Sequence, residues 1–83
     1  VETSSFSFEN HRSQPVDVYV EPWPQRFRLQ PGEVLEIRYP AKPEPAAVSI
    51  YTHDDGITLW ADLGDAPEYL IGGEQAKDRN WAD

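Results

Sequence analysis

The stretch from Pro15 to Pro40 constrains the fold more than any other, because it alternates apolar and polar residues in three consecutive runs. Val16, Val18 and Val20 fall on one face, against Asp17, Tyr19 and Glu21 on the other. Arg26-Phe27-Arg28-Leu29 repeats the pattern after Pro22-Trp23-Pro24, and Val34 to Tyr39 repeats it after Gln30-Pro31-Gly32. A period of two places alternate side chains on opposite faces of an extended chain, so each run reads as a half-buried strand.

The same reading extends along the chain. Phe6 and Phe8 alternate with Ser7 and Glu9 in a first strand over residues 5–10. Val16 to Glu21 is the second strand, and Pro22 and Pro24 stop it because each lacks a ladder donor; an edge or loop position is expected there. Gln25 to Leu29 is the third. Gln30-Pro31-Gly32-Glu33 has Pro and Gly where a type II turn wants them, and is expected to close a hairpin onto the fourth strand, Val34 to Tyr39. Val34 and Leu35 are both apolar, which suggests a bulge.

Pro40 to Pro45 holds three prolines and reads as a connection crossing between sheets. A fifth strand covers residues 46–52 and a sixth Ile57 to Leu63, joined by the His53-Asp54-Asp55-Gly56 hairpin signal, where Asp-Gly suits positive φ. Glu68 to Ile71 is a seventh, ended by Gly72-Gly73. Glu74 to Asn80 suits a short helical turn. Residues 1–4 and 74–83 are expected to be loose ends of one domain spanning 1–83. Val1 in place of an initiator Met is the pattern of a fragment or a processed product.

Six or seven short strands with Pro/Gly turns predict an all-β fold, a small antiparallel β-sandwich with a small barrel as the alternative. The expected core is Phe6, Phe8, Val16, Val18, Val20, Phe27, Leu29, Leu35, Ile37, Val48, Ile50, Ile57, Leu59, Leu63 and Leu70. Two sheets also offer Trp23 and Trp60 a place to pack.

Charge narrows the partners. The chain of 83 residues carries 15 acidic and 7 basic side chains, for a formal net charge of −8. Binding to nucleic acid is not expected, since there is no basic patch to displace phosphate counterions. A basic protein partner fits the sign. Residues 41–83 hold nine of the acids and three of the bases, so the excess is concentrated there. With no Cys, there is neither a disulfide framework nor a thiolate metal site, and a reducing compartment, the cytoplasm, is favoured. No apolar run is long enough to span a membrane as a helix, so no membrane partner is expected.

Four groups of residues bear on chemistry. His53, Asp54 and Asp55 contain metal-ligand and general-base types, but at a hairpin corner they read first as turn formers. Asp54, Asp55, Asp62, Asp65 and Glu68 lack the spacing of a calcium loop and read as solvated acid. Arg26, Arg28 and Arg38 read as exposed ion-pair partners of Glu33 and Glu36. The fourth group is aromatic. Tyr19, Tyr39 and Tyr51 are assigned to outward faces and, with Trp23 and Trp60, form the expected partner or ligand surface, the other reading being cross-strand pairs that stabilise the sheet or a Trp60 that reaches a second small core; Tyr and Trp bury much area at small entropic cost.

No nucleophile–base motif, phosphate loop or metal-binding signature is present, so no catalytic, cofactor or metal site is assigned. The expectation is a non-enzymatic acidic interaction or accessory domain, with a carbohydrate-binding module using exposed Trp and Tyr as the alternative.

Overall fold

In the computed structural model, residues 2–21, 25–41, 47–64 and 67–76 are described. They form eight strands: β1 (Thr3–Glu9), β2 (Val16–Glu21), β3 (Gln25–Leu29), β4 (Val34–Pro40), β5 (Val48–Thr52), β6 (Gly56–Ala61), β7 (Glu68–Ile71) and β8 (Glu74–Gln75). Two four-stranded sheets result, ordered β1-β4-β7-β8 and β3-β2-β6-β5. The fold is an all-β sandwich, and among the described residues no strand pairing joins the two sheets into a barrel.

The alternating runs bury the faces that period two assigns to them. Val16, Val18 and Val20 are 2, 0 and 1% exposed, and Phe27, Leu29, Leu35, Ile37 and Leu63 are fully enclosed beside them. Each such side chain contributes about 1.5–3 kcal/mol relative to exposure. Phe6 and Phe8 are partly buried and pack against this cluster. Phe27 of β3 meets Tyr69 of β7 with ring centroids 5.0 Å apart, an aromatic contact between the two sheets.

Several details depart from the sequence reading. The sandwich is not wholly antiparallel: β2 pairs β6 in parallel, Val18 facing Ile57. Parallel neighbours need a long crossover, and here β3, β4 and β5 all intervene. As a result β2 is an interior strand; Pro22-Trp23-Pro24, expected at an edge or in a loop, lies outside the described residues.

The Gln30–Glu33 turn forms, with the Glu33 amide donating to the Gln30 carbonyl at 3.0 Å and Gly32 at φ +84°. It joins different sheets, however, and closes no hairpin. Asn10 explains the change of direction. Its amide donates to the Glu33 carbonyl and its carbonyl accepts from Gly32, at 2.9 and 2.8 Å. The Asn10 side chain is 1% exposed and fully used: Nδ2 donates to the carbonyls of Gln14 and Leu29, and Oδ1 accepts from the Arg12 amide. β4 is thereby turned back along β1, in an unbroken register from Glu9–Val34 to Thr3–Pro40 that leaves no bulge at Val34.

At the other hairpin, the His53 amide donates to the Gly56 carbonyl at 2.8 Å. Gly56 is not among the positive-φ glycines. Its requirement is space: a Cβ there would lie 1.8 Å from the Asp17 carbonyl oxygen, because β2 and β6 meet backbone to backbone. Gly72 and Gly73 have φ of +63° and +84°. Positive φ at both central positions is what a tight two-residue hairpin needs, and this one pairs Ile71 with Glu74. Glu74 and Gln75 therefore form a strand rather than a helical turn, and Ala76 is fully buried. Thr3 and Ser4 at the other end are likewise in strand.

The expected core loses Val48 and Ile50, which are 38 and 61% exposed, and gains Ala61, Ile71 and Ala76. Asp17, assigned to the outer face, is only 6% exposed. Its carboxylate is bound by Arg28, directly opposite on the adjacent β3.

Candidate functional site

The outer face of the β3-β2-β6-β5 sheet collects most of the residues singled out for chemistry. Register sets the rows. Tyr19 lies between Arg26 on β3 and Thr58 on β6, and Thr58 in turn faces Tyr51 on β5. The Arg26 guanidinium sits 4.8 Å from the Tyr19 ring centroid, a cation–π arrangement. His53 reaches back over this row. Its ring meets Tyr19 edge-on, centroids 6.1 Å apart at 84°, and its Nε2 is 2.6 Å from Thr58 Oγ1. Tyr19, His53, Asp55 and Thr58 line an open hollow of about 310 Å³.

One row further along, Arg28 Nε donates to Asp17 Oδ1 at 2.9 Å and Nη2 to Oδ2 at 3.4 Å. The hydrogen bond and the charge of Asp17 hold the Arg28 guanidinium above its ordinary pKa. This pair satisfies the covered Asp17 carboxylate, which would otherwise be costly to enclose. Asp17, Arg28, Arg12, Asp54 and Asp55 border a second hollow of about 400 Å³. In the opposite direction, Trp60 lies between Glu21 and Ser49 and is 49% exposed. It faces outward and takes no place in the core.

Of the aromatic surface expected from sequence, the structure brings together Tyr19, Tyr51 and Trp60. Tyr39 does not join them. It shares the parity of Leu35 and Ile37, lies on the other sheet, and is partly buried against the core with its ring 6.0 Å from Phe6. Its assignment to an outward face is corrected by that parity. Trp23 lies outside the described residues, as does Trp81. Tyr69 also points inward. Its hydroxyl is buried without a hydrogen-bond partner, and burial pushes its pKa up to about 12.

The arginines divide between the sheets because the Gln30–Glu33 turn crosses over. Arg38 pairs with Glu36 on its own strand, Nε to Oε2 at 3.0 Å, and the hydrogen bond to Glu36 together with its charge raises the Arg38 pKa. The two histidines stay apart in their interactions: His11 pairs with Glu9 at 2.9 Å, while His53 belongs to the aromatic row. Among the described residues, no three His, Asp or Glu side chains are grouped so as to hold a metal ion. No helix among them is long and apolar enough to cross a membrane.

Sequence reasoning did not connect His53 and Thr58 with Tyr19. Tyr19 is far from both along the chain, and only the parallel β2–β6 register sets Tyr19 beside Thr58. The assembled face offers flat aromatic area, a hydroxyl and an imidazole, with acid at the β5–β6 turn. Such a surface is suited to binding.

Comparison with protein-family models, with curated protein sequences and with solved structures returned no significant match for this chain. The class is set by architecture: a small two-sheet β-sandwich domain.

Proposed function

We propose that this chain is a small interaction domain that binds a protein partner through the β5–β6 corner of its second sheet. One observation carries the reading. The large apolar side chains that stand exposed among the described residues are Val48, Ile50, Tyr51 and Trp60, at 38, 61, 56 and 49%, and all four belong to β5 or β6. Scattered apolar exposure is ordinary; here it gathers along one side of one sheet, Tyr51 and Trp60 on its outer face and Val48 and Ile50 on the opposite face, and such clustering marks a contact region. Trp and Tyr are over-represented among the residues that dominate binding energy. The net charge of −8, with Asp54 and Asp55 at the adjoining turn, favours a basic partner and speeds its approach.

A second reading, glycan binding, draws on Trp60 and Tyr51 standing half-exposed on the outer side of one sheet. The deciding experiment compares wild type with a Tyr51→Ser/Trp60→Ser variant of matched stability. Both are used for affinity capture and for a soluble-glycan array. A protein retained by wild type, released by salt and lost from the variant supports the interaction reading. Saturable glycan binding lost in the same variant supports the second. Identical captured proteins with both chains, and no glycan signal, would remove both.

A further inference from the structure

We propose that the partner engages β5 by strand addition: an extended segment, alternately apolar and flanked by basic residues, pairs with the open edge of β5 as a fifth strand of the sheet. The inference rests on the interaction reading above and specifies its mode.

The backbone defines the open edge. In an antiparallel pair, residues directly opposite alternate between exchanging hydrogen bonds and pointing their amides and carbonyls away. His53 bonds to Gly56, so Tyr51–Thr58 and Ser49–Trp60 are the bonded pairs in the β5–β6 register. The donors and acceptors of Val48, Ile50 and Thr52 therefore point away from β6. The other side of β6 agrees with this phase, since the Asp55 carbonyl, at the odd-numbered parity, accepts from Asp17 on β2 at 3.1 Å. Among the described residues no strand pairs with that edge, because β5 ends the sheet.

The side chains fit the same occupant. Val48 and Ile50 lie opposite Ala61 and Leu59, whose side chains are buried, so they project toward the core side of the sheet yet remain exposed. A strand added beside β5 would place its own alternate side chains on that face and cover both. The other edges suit an alternately apolar strand less well. β3 carries Arg26 and Arg28, β8 has two residues, and β1 exposes Thr3, Ser5, Ser7 and Glu9. Natural edge strands avoid pairing through charge, proline, bulges or shortness. Val48-Ser49-Ile50-Tyr51-Thr52 has no charge and no proline, and its register with β6 is unbroken.

Charge selects the partner over a second copy. Each chain carries −8, and Asp54 and Asp55 follow one end of β5 while Asp62 lies just beyond the β6 residue facing the other. Basic residues at both ends of an incoming strand would meet these acids.

The test uses the full chain, ¹⁵N-labelled, and a synthetic peptide of alternating Val and Thr with paired Lys at each end. Amide exchange at Val48, Ile50 and Thr52 is expected to slow by about tenfold or more, while Ser49 and Tyr51, already bonded to β6, stay unchanged. Ile50→Pro deletes an outward donor and spares the β6 ladder. It is expected to weaken the peptide by about tenfold, as is N-methylation of the peptide's edge-facing residues, which needs no variant protein. A peptide with Glu in place of Lys is expected to bind at least about tenfold less tightly.

Absence of protection at saturating Lys peptide overturns the proposal, and so does equal binding of the Glu peptide. Shifts confined to Tyr19, Tyr51 and Trp60 overturn strand addition and leave the interaction reading standing. Edge protection in the free chain that grows with its concentration, together with a doubled mass, also overturns it by making a second copy the occupant.

Discussion

β2 and β5 belong to one sheet and look alike as sequence. Val-Asp-Val-Tyr-Val and Val-Ser-Ile-Tyr-Thr both alternate, both are rich in β-branched residues, and both place a Tyr opposite the apolar face. Their fates differ. The valines of β2 are 2% exposed or less, whereas every residue of β5 is exposed. Among the described residues β2 has a neighbour on each side and β5 has one. Alternation thus determines which way a side chain points, and place in the sheet determines how deeply it is covered. Cover on the back face varies from residue to residue: Asp17 is enclosed and bound by Arg28, whereas Trp60 on the equally interior β6 is 49% exposed. At the edge, even the core-facing Ile50 stays wet.

The largest effect expected from this contrast is at Val18. Val18→Asp encloses a carboxylate in the core and is expected to prevent folding or to cost more than about 4 kcal/mol. Chemical denaturation beside wild type measures it; near-native stability would mean that β2 is not the interior strand.

Gly56→Ala comes next, because it tests the parallel contact that makes β2 interior. With a Cβ directed at the Asp17 carbonyl from 1.8 Å, the two backbones must separate, at an expected cost of about 3 kcal/mol. Gly32→Ala, at φ +84° with open space around it, is expected to cost about 1 kcal/mol. Equal midpoint shifts for the two would argue against close approach of β2 and β6.

Tyr69 sharpens the contrast from the covering sheet. Its pKa is raised from 10.0 to about 12 by burial, so the folded state favours the neutral phenol. The resulting stability is present below the unfolded pKa and is lost as pH rises through the folded one, between about 10 and 12. Tyr69→Phe removes a buried hydroxyl without a partner, should stabilise by about 1 kcal/mol, and should flatten that alkaline loss. Denaturation midpoints of both chains across this range check the sign; an alkaline loss that persists in Tyr69→Phe would place its origin elsewhere.

The smallest expected effect is at β5. Ile50→Lys should change folding stability by no more than about 0.5 kcal/mol, as at other exposed positions, despite replacing a residue that sequence alone assigns to the core. A loss of several kcal/mol would show that Ile50 is covered after all.

The strands were legible because period two is a local property. Each alternating run from Phe6 to Ile71 became a strand, and the valine face of β2 was the buried one. The Pro31-Gly32 turn and the Gly72-Gly73 turn were legible too, since backbone geometry there depends on the residues themselves. Parity alone would also have placed Tyr39 with Leu35 and Ile37, had it been followed through.

What sequence did not carry was pairing. The parallel partnership of β2 and β6, the crossing at Gln30–Glu33 and the edge position of β5 arise between segments far apart in the chain. Their energy lies in cross-strand contacts and in shared hydrogen bonds such as those of Asn10. The candidate site follows the same division. Tyr19, Tyr51 and Trp60 announce themselves as strand aromatics facing away from the apolar set. Their union with His53 and Thr58, and the exposure of Val48 and Ile50, exist only once the tertiary structure has chosen which strands lie side by side and which one is left at the end.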